Sequence, residues 1–125
     1  MIASRPSIYI YTNESDKLIL REICSGIEEE GIFYEISERD IKDLNQLAWD
    51  AANKSTLGSG IGIKGKSIAF QMRGIDLGKN VAFYAEPTKE ECRMVGSNSA
   101  RAVKKQAFKS VSYTHLRAHE TGAYL

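Results

Sequence analysis

Cysteine is scarce: Cys24 and Cys92 are the chain's two, far apart and without C-x-x-C spacing. A disulfide framework or a zinc knuckle therefore has no material, and two lone thiols in helical patterns suit a reduced core. Nowhere do about 18 apolar residues run together. The start, M-I-A-S-R-P-S-I-Y-I-Y, has neither a signal-peptide apolar run nor a cleavage pattern, so a cytoplasmic protein is expected, with no membrane partner. Charge of one sign is missing too: 17 basic against 16 acidic residues leave +1. Without a global field, nucleic acid loses its main attraction and is not expected as a partner. There are no repeats and no low-complexity linker, and 125 residues make one domain the natural expectation.

What is present is an alternating α/β pattern. Ser7 to Thr12, S-I-Y-I-Y-T, is a β-branched and aromatic run suited to a strand covered on both faces. Ser15 or Asp16 can cap the helix that follows, whose buried stripe is Ile19, Leu20, Ile23 and Ile27. That helix runs to about Glu30 and is stopped by Gly31 as a left-handed C′ residue, which pairs Ile32 with Ile27 in a Schellman ending. Ile32 to Ile36 is the second strand, parallel to the first through a right-handed crossover. From Ile41, with Asp40 as cap, a second helix carries Leu44, Leu47, Ala48, Ala51 and Ala52 on one face and ends near Lys54. Gly58 to Met72 reads as a β-hairpin turning at Lys64 and Gly65, and Val81 to Ala85 as a short fifth strand closed by Pro87. Thr88 and Glu91 form a capping box for a last helix, which Gly96, Ser97 and Asn98 are expected to interrupt. Its resumed part carries Ala100, Val103 and Ala107 on one face and Arg101, Lys104, Lys105 and Lys109 on the other.

One run breaks the local rules. Glu28, Glu29 and Glu30 crowd into the last turn of the first helix, beside a partial negative charge, where each carboxylate costs about 0.3 to 1 kcal/mol. A solvated acidic face accounts for such a run. So does an anionic prong offered to a partner's cation or metal, and at three consecutive positions only one or two carboxylates can serve a single site.

Gly60 to Ser67, G-I-G-I-K-G-K-S, satisfies the phosphate-loop string G-x-x-x-x-G-K-[ST], with Lys66 and Ser67 in the functional places. A phosphate loop must follow a buried strand and open a helix so that backbone N–H groups converge on the phosphates. Here Asn53 to Ser59 is no such strand, and the string belongs to the hairpin. His115 and His119 are four apart, but H-L-R-A-H lacks the glutamate of the zinc hydrolases and a third ligand. No nucleophile elbow or carboxylate dyad stands out, so catalysis by this chain is not expected and it carries no cofactor of its own. Two rival readings are a P-loop nucleotide hydrolase using Lys66 and Ser67, and an RNA-binding α/β module using the basic face of the last helix.

Taken together, S-I-Y-I-Y, G-I-E-E-E-G-I at Gly26 to Ile32, A-W-D-A-A at Ala48 to Ala52, the Gly-Ile hairpin at Gly60 to Met72 and G-S-N-S-A-R-A-V-K at Gly96 to Lys104 resemble a known family. It is the small subunit of the reactivating factor for coenzyme B12-dependent diol and glycerol dehydratases, itself related to the longer dehydratase medium subunit, which is the alternative identification. The resemblance covers roughly Ser7 to Lys109. It implies a three-layer α/β sandwich with a five-stranded mixed sheet, in the order β-α-β-α-β-β-β-α with the hairpin strand antiparallel. It also implies a non-catalytic, chaperone-like role: with an actin-like ATPase large subunit, the factor helps release damaged cobalamin from the inactivated dehydratase, a setting that includes bacterial microcompartments. By position, the resemblance places on Glu29 a ligand that completes the Mg site beside the large subunit's ADP or ATP, with Glu28, Glu29 and Glu30 at the partner interface. After V-K the family ends in a K-G-x-P-F type sequence, whereas this chain has K-K-Q-A-F-K and then S-Y-T-H-L-R-A-H-E-T-G-A-Y-L. Residues 1–111 are accordingly expected to form the domain. Ser112 to Leu125 resembles translated sequencing adapter and is expected to be foreign to the fold or disordered.

Overall fold

The computed structural model describes residues 5–105. Lys109, His115, His119 and the stretch from Ser112 lie outside the described residues. The elements are β1 (Ser7–Asn13), α1 (Lys17–Glu29), β2 (Phe33–Glu38), α2 (Leu44–Lys54), β3 (Ser59–Lys64), β4 (Ser67–Met72), β5 (Ala82–Tyr84) and α3 (Lys89–Lys104). The strands form one mixed sheet in the order β2-β1-β3-β4-β5. β1 is parallel to both β2 and β3, and β4 is antiparallel to β3 and β5.

Alternation along the central strands sends one set of side chains to each face. Ile8, Ile10, Ile61, Ile63, Ile68 and Phe70 face α1 and α3, where they meet Ile19, Ile23, Ile27, Cys92 and Val95. Tyr9 and Tyr11 face the opposite layer with Leu47 and Ala51 of α2. The expected sandwich is therefore the observed one, with α1 and α3 on one side and α2 on the other. Both cysteines are buried free thiols.

Local signals set most boundaries. The Asp16 side chain caps α1 by accepting from Leu18 N (2.9 Å) and Ile19 N (3.1 Å). Gly31, at φ +75°, ends that helix in the left-handed region while its N–H donates to Glu28 O. Thr88 and Glu91 form the reciprocal capping box of α3. β2 begins at Phe33 and extends to Glu38, two residues past the expected end, because pairing with β1 continues to Thr12↔Glu38.

Three expectations are corrected. The cap of α2 is Asp43, not Asp40, since the Asp43 carboxylate accepts from Gln46 N at 3.1 Å. The hairpin turns at Gly65 and Lys66 rather than Lys64 and Gly65: Lys64 still pairs with Ser67, and Gly65 takes the positive φ of +55°. The larger correction is α3, which runs unbroken through Gly96, Ser97 and Asn98. These polar and small residues are buried, because α1 and α3 cross there at backbone contact. A Cβ at Gly96 would fall far inside 3.0 Å of the Ile23 carbonyl, and one at Gly26 far inside 3.0 Å of the Arg93 carbonyl. Only glycine admits that approach, so a residue that weakens an isolated helix is what packing requires here.

Candidate functional site

The end of α1 is where the acidic run meets α3. Glu22 lies by Arg93 and Glu30 by Lys104, so the two helices run in the same direction and their C-termini sit side by side. Two partial negative charges and three carboxylates would repel each other there. α1 supplies no basic residue in its own last turn, whereas α3 brings Arg101 and Lys104. The compensation is tertiary.

Each carboxylate of the run has a different neighbour. Glu30 turns inward, its side chain only 8% exposed, accepting from Ser97 Oγ (2.6 Å), Lys104 Nζ (3.0 Å) and Arg101 Nε (3.2 Å). Lys104 Nζ also donates to the Glu30 carbonyl at 2.8 Å, satisfying an orphan acceptor of the helix end. Glu28 accepts the Tyr34 hydroxyl at 2.6 Å, and that bond raises the Tyr34 pKa above its ordinary value. Glu29, 42% exposed, pairs with Arg93 Nη1 at 2.7 Å. Sequence reasoning missed Arg93, Ser97 and Tyr34 as partners of this run. It placed Arg101 and Lys104 on a basic face of the last helix, and the structure joins them to Glu30.

The Ser97 hydroxyl bond, then Lys104 and Arg101, hold the Glu30 carboxyl down at about 2 against the opposing effect of burial. A depressed carboxylate pKa contributes stability that is present above the unfolded value and lost as pH falls toward the folded one. Glu30→Gln is thus expected to cost about 2 kcal/mol at neutral pH. It should also flatten the stability loss between about pH 4.5 and 2. Urea unfolding of both proteins across that range checks this, and parallel pH profiles would contradict it.

Among the described residues no three His, Cys, Asp or Glu side chains gather as a metal cage. What the end of α1 offers is a hard carboxylate oxygen, the donor Mg2+ prefers, suited to adding one ligand to an ion held elsewhere.

The phosphate-loop string takes another form. Gly60 to Lys64 lies within β3 (Ser59–Lys64), Gly65 and Lys66 are the turn, and Ser67 opens β4, so no helix follows it. The strand order reverses between β1 and β3, the position where open α/β sheets hold ligands beyond the strand ends. Here the hairpin occupies that position: Gly65 N donates to Asn13 O at 3.2 Å, and Asp16 N donates to Gly65 O at 2.9 Å. A nearby cleft of about 270 Å3 is lined by Asp16, Glu22, Lys66, Glu86 and Lys89, with Cys92 in its wall. Burial, with Glu22 and Glu91 nearby, pushes that thiol up to about 11, so it stays protonated and is a poor nucleophile at neutral pH. No helix of the described residues is long and apolar enough to cross a membrane.

Comparisons with known proteins bear on this architecture. The chain is 29% identical over 100 residues to the propanediol dehydratase-reactivating factor small subunit of Citrobacter freundii, across 79% of this chain and 86% of that protein. A chain in a solved diol dehydratase-reactivating factor, complexed with ADP and Mg2+, superposes with a TM-score of 0.80 at 28% identity. It is covered in full by 86% of this chain. A glycerol dehydratase reactivase chain shares the fold, with a TM-score of 0.80 at 22% identity over 85% of this chain and 98% of its own length. The family model described as dehydratase medium subunit matches residues 5–109, most of the chain, and the chain belongs to that family.

Proposed function

We propose that this chain is the non-catalytic small subunit of an ATP-dependent reactivating factor for a coenzyme B12-dependent diol or glycerol dehydratase. The observation that carries the reading is the full-length superposition on a chain of the diol dehydratase-reactivating factor. Full coverage of a reactivating-factor chain favours that subunit over the longer dehydratase medium subunit. The partners are an actin-like ATPase large subunit, which carries ADP or ATP with Mg2+, and the inactivated dehydratase. Because the chain has the fold of a dehydratase subunit family, it can compete for that subunit's place and help open the enzyme so that damaged cobalamin leaves. The setting is the cytoplasm or a bacterial microcompartment.

In this reading Glu28, Glu29 and Glu30 lie at the interface with the large subunit, and Glu29 completes the Mg2+ site. When bound, the ion offsets the negative charge of the nucleotide phosphates and of the carboxylate. The arrangement supports a division of labour: Glu30 is committed to α3, while Glu29 presents a half-exposed carboxylate. Its pair with Arg93 is of the exposed kind that contributes about 0 to 1 kcal/mol. Glu29→Gln is therefore expected to leave subunit folding unchanged. It should weaken association with the large subunit by about tenfold, near 1.4 kcal/mol, and reduce its Mg2+ dependence. Equal affinity and equal Mg2+ dependence for both proteins, measured by titration calorimetry, would remove the metal assignment. Failure to co-purify with the large subunit would remove the functional reading itself.

A further inference from the structure

The two edges of the sheet are finished differently. β5 is three residues long with Pro87 just beyond it, and a short strand and a nearby proline are both ways of blunting an edge. β2 is six residues long, has no proline, lysine or bulge, and among the described residues pairs with β1 alone. Arg39 N continues that ladder by donating to Thr12 O at 2.8 Å, so the odd-numbered N–H groups point to β1. Alternation then turns the N–H and C=O groups of Tyr34, Ile36 and Glu38 outward. We propose that β2 pairs antiparallel with β2 of a second copy of this chain, about a two-fold axis at Ile36, joining the two sheets edge to edge. The inference uses this chain's own surface and does not depend on the proposed function. Glu28 lies on both surfaces, so the pairing belongs to the free subunit.

Three observations favour a second copy as the occupant. The first is register. A two-fold axis perpendicular to the sheet makes the contact isologous and sets residues of one face opposite each other. Centred on Ile36, it puts Ile36 opposite itself, Tyr34 opposite Glu38 and Glu35 opposite Ser37, and the outward groups supply about six backbone hydrogen bonds. Centred on Glu35, it would set two like charges directly opposite, which is destabilising. The second observation is apolar exposure at the axis. Ile36 is level with Ile10 on the α1 face yet 46% exposed, and its own copy would cover it. The third is charge. Lys17, Arg21, Ser25 and Glu28 recur along one exposed side of α1 and line, with Tyr34 and Ile36, a cleft of about 350 Å3 beside β2. That stripe is basic where α1 starts and acidic where it ends. Glu28 accepts the Tyr34 hydroxyl at 2.6 Å, whereas the start of α1 is tied through Gly65 to Asn13, at the Glu38 end of the strand pair. Setting Tyr34 of one copy against Glu38 of the other therefore turns Glu28 of each copy toward Lys17 and Arg21 of its mate. The Glu38 carboxylate does not oppose this, being held by Thr12 Oγ1 at 2.6 Å and Glu14 N at 3.1 Å.

Sedimentation velocity of the full chain from about 5 to 500 μM should show the 13.9 kDa monomer giving way to twice that mass, with a micromolar dissociation constant suited to a small interface. Ile36→Lys sets two cations on the axis and should weaken the dimer at least about tenfold. Phe83→Lys, at a residue 55% exposed on the opposite edge, should leave it unchanged. Glu28→Lys should weaken it by about threefold to tenfold, and adding Lys17→Glu and Arg21→Glu to that variant should restore it, because opposite charges meet again. The charge-reversal series leaves the strand untouched, so it decides the case even if Ile36→Lys fails to fold. A chain that stays monomeric throughout, a dimer indifferent to Ile36→Lys, or a charge reversal that does not restore pairing would overturn the proposal. So would a monomer whose binding to the large subunit is lost in Ile36→Lys, since the edge would then belong to that protein.

Discussion

Gly96→Ala should lower the unfolding midpoint by about 10 to 15 °C, although alanine is the better helix former by about 1 kcal/mol. The added methyl group would fall far inside 3.0 Å of the Ile23 carbonyl and also meet Ile23 C and Cα, all of them backbone atoms that no rotamer change can move. The helices would have to separate along their crossing, loosening Ile23, Cys92 and Val95 in the core beneath. Overpacking of this kind costs about 3 kcal/mol or slightly more, and about 4 °C per kcal/mol applies to a domain of this size. Gly26→Ala should behave alike, since its Cβ meets Arg93 O and Ser97 N from the other helix. Thermal melts of both variants test the crossing. A midpoint equal to or above that of the wild type would show that α1 and α3 can part at little cost.

A second large effect is expected in the string that resembles a phosphate loop, and at the opposite residues from those a nucleotide site would choose. Gly60→Ala puts a methyl group far inside 3.0 Å of Ala52 N and Ala51 C, and Gly62→Ala one at 2.7 Å from Ala48 N. These glycines let α2 lie directly on β3, so Gly60→Ala should cost about 3 kcal/mol. Lys66 is exposed at the hairpin turn, and Lys66→Ala should change stability by no more than about 0.5 kcal/mol. In a true phosphate loop the lysine would matter most with ATP present. Millimolar ATP is expected to leave the melting midpoint of wild type and Lys66→Ala alike. An ATP-dependent rise in the wild type, lost in Lys66→Ala, would restore the nucleotide-site reading.

Much of the fold was legible because its signals are local. The 3.6-residue recurrence of Ile19, Ile23 and Ile27, the Asp16 cap, the Gly31 stop and the Thr88–Glu91 box each act within one or two turns. Alternation in Ile61, Ile63, Ile68 and Phe70 likewise suffices for the hairpin. The cap of α2 slipped to Asp43 because Asp40 and Asp43 are both competent caps, and only pairing with N–H groups in place chooses between them.

The sequence by itself thus determined the order of elements, the buried faces of α1 and α2 and the conflict of charge at the end of α1. Tertiary structure decided the rest. Gly96, Ser97 and Asn98 read as a break because propensity describes a helix in water, whereas a close crossing rewards the absence of a side chain. The fate of Glu28, Glu29 and Glu30 was equally hidden, since their partners Tyr34, Arg93, Ser97, Arg101 and Lys104 stand between 6 and 74 residues away. A carboxylate's surroundings are set by which cations the fold brings within a few ångströms, and Coulomb interactions between such groups depend on distance in space, which spacing along the chain does not encode.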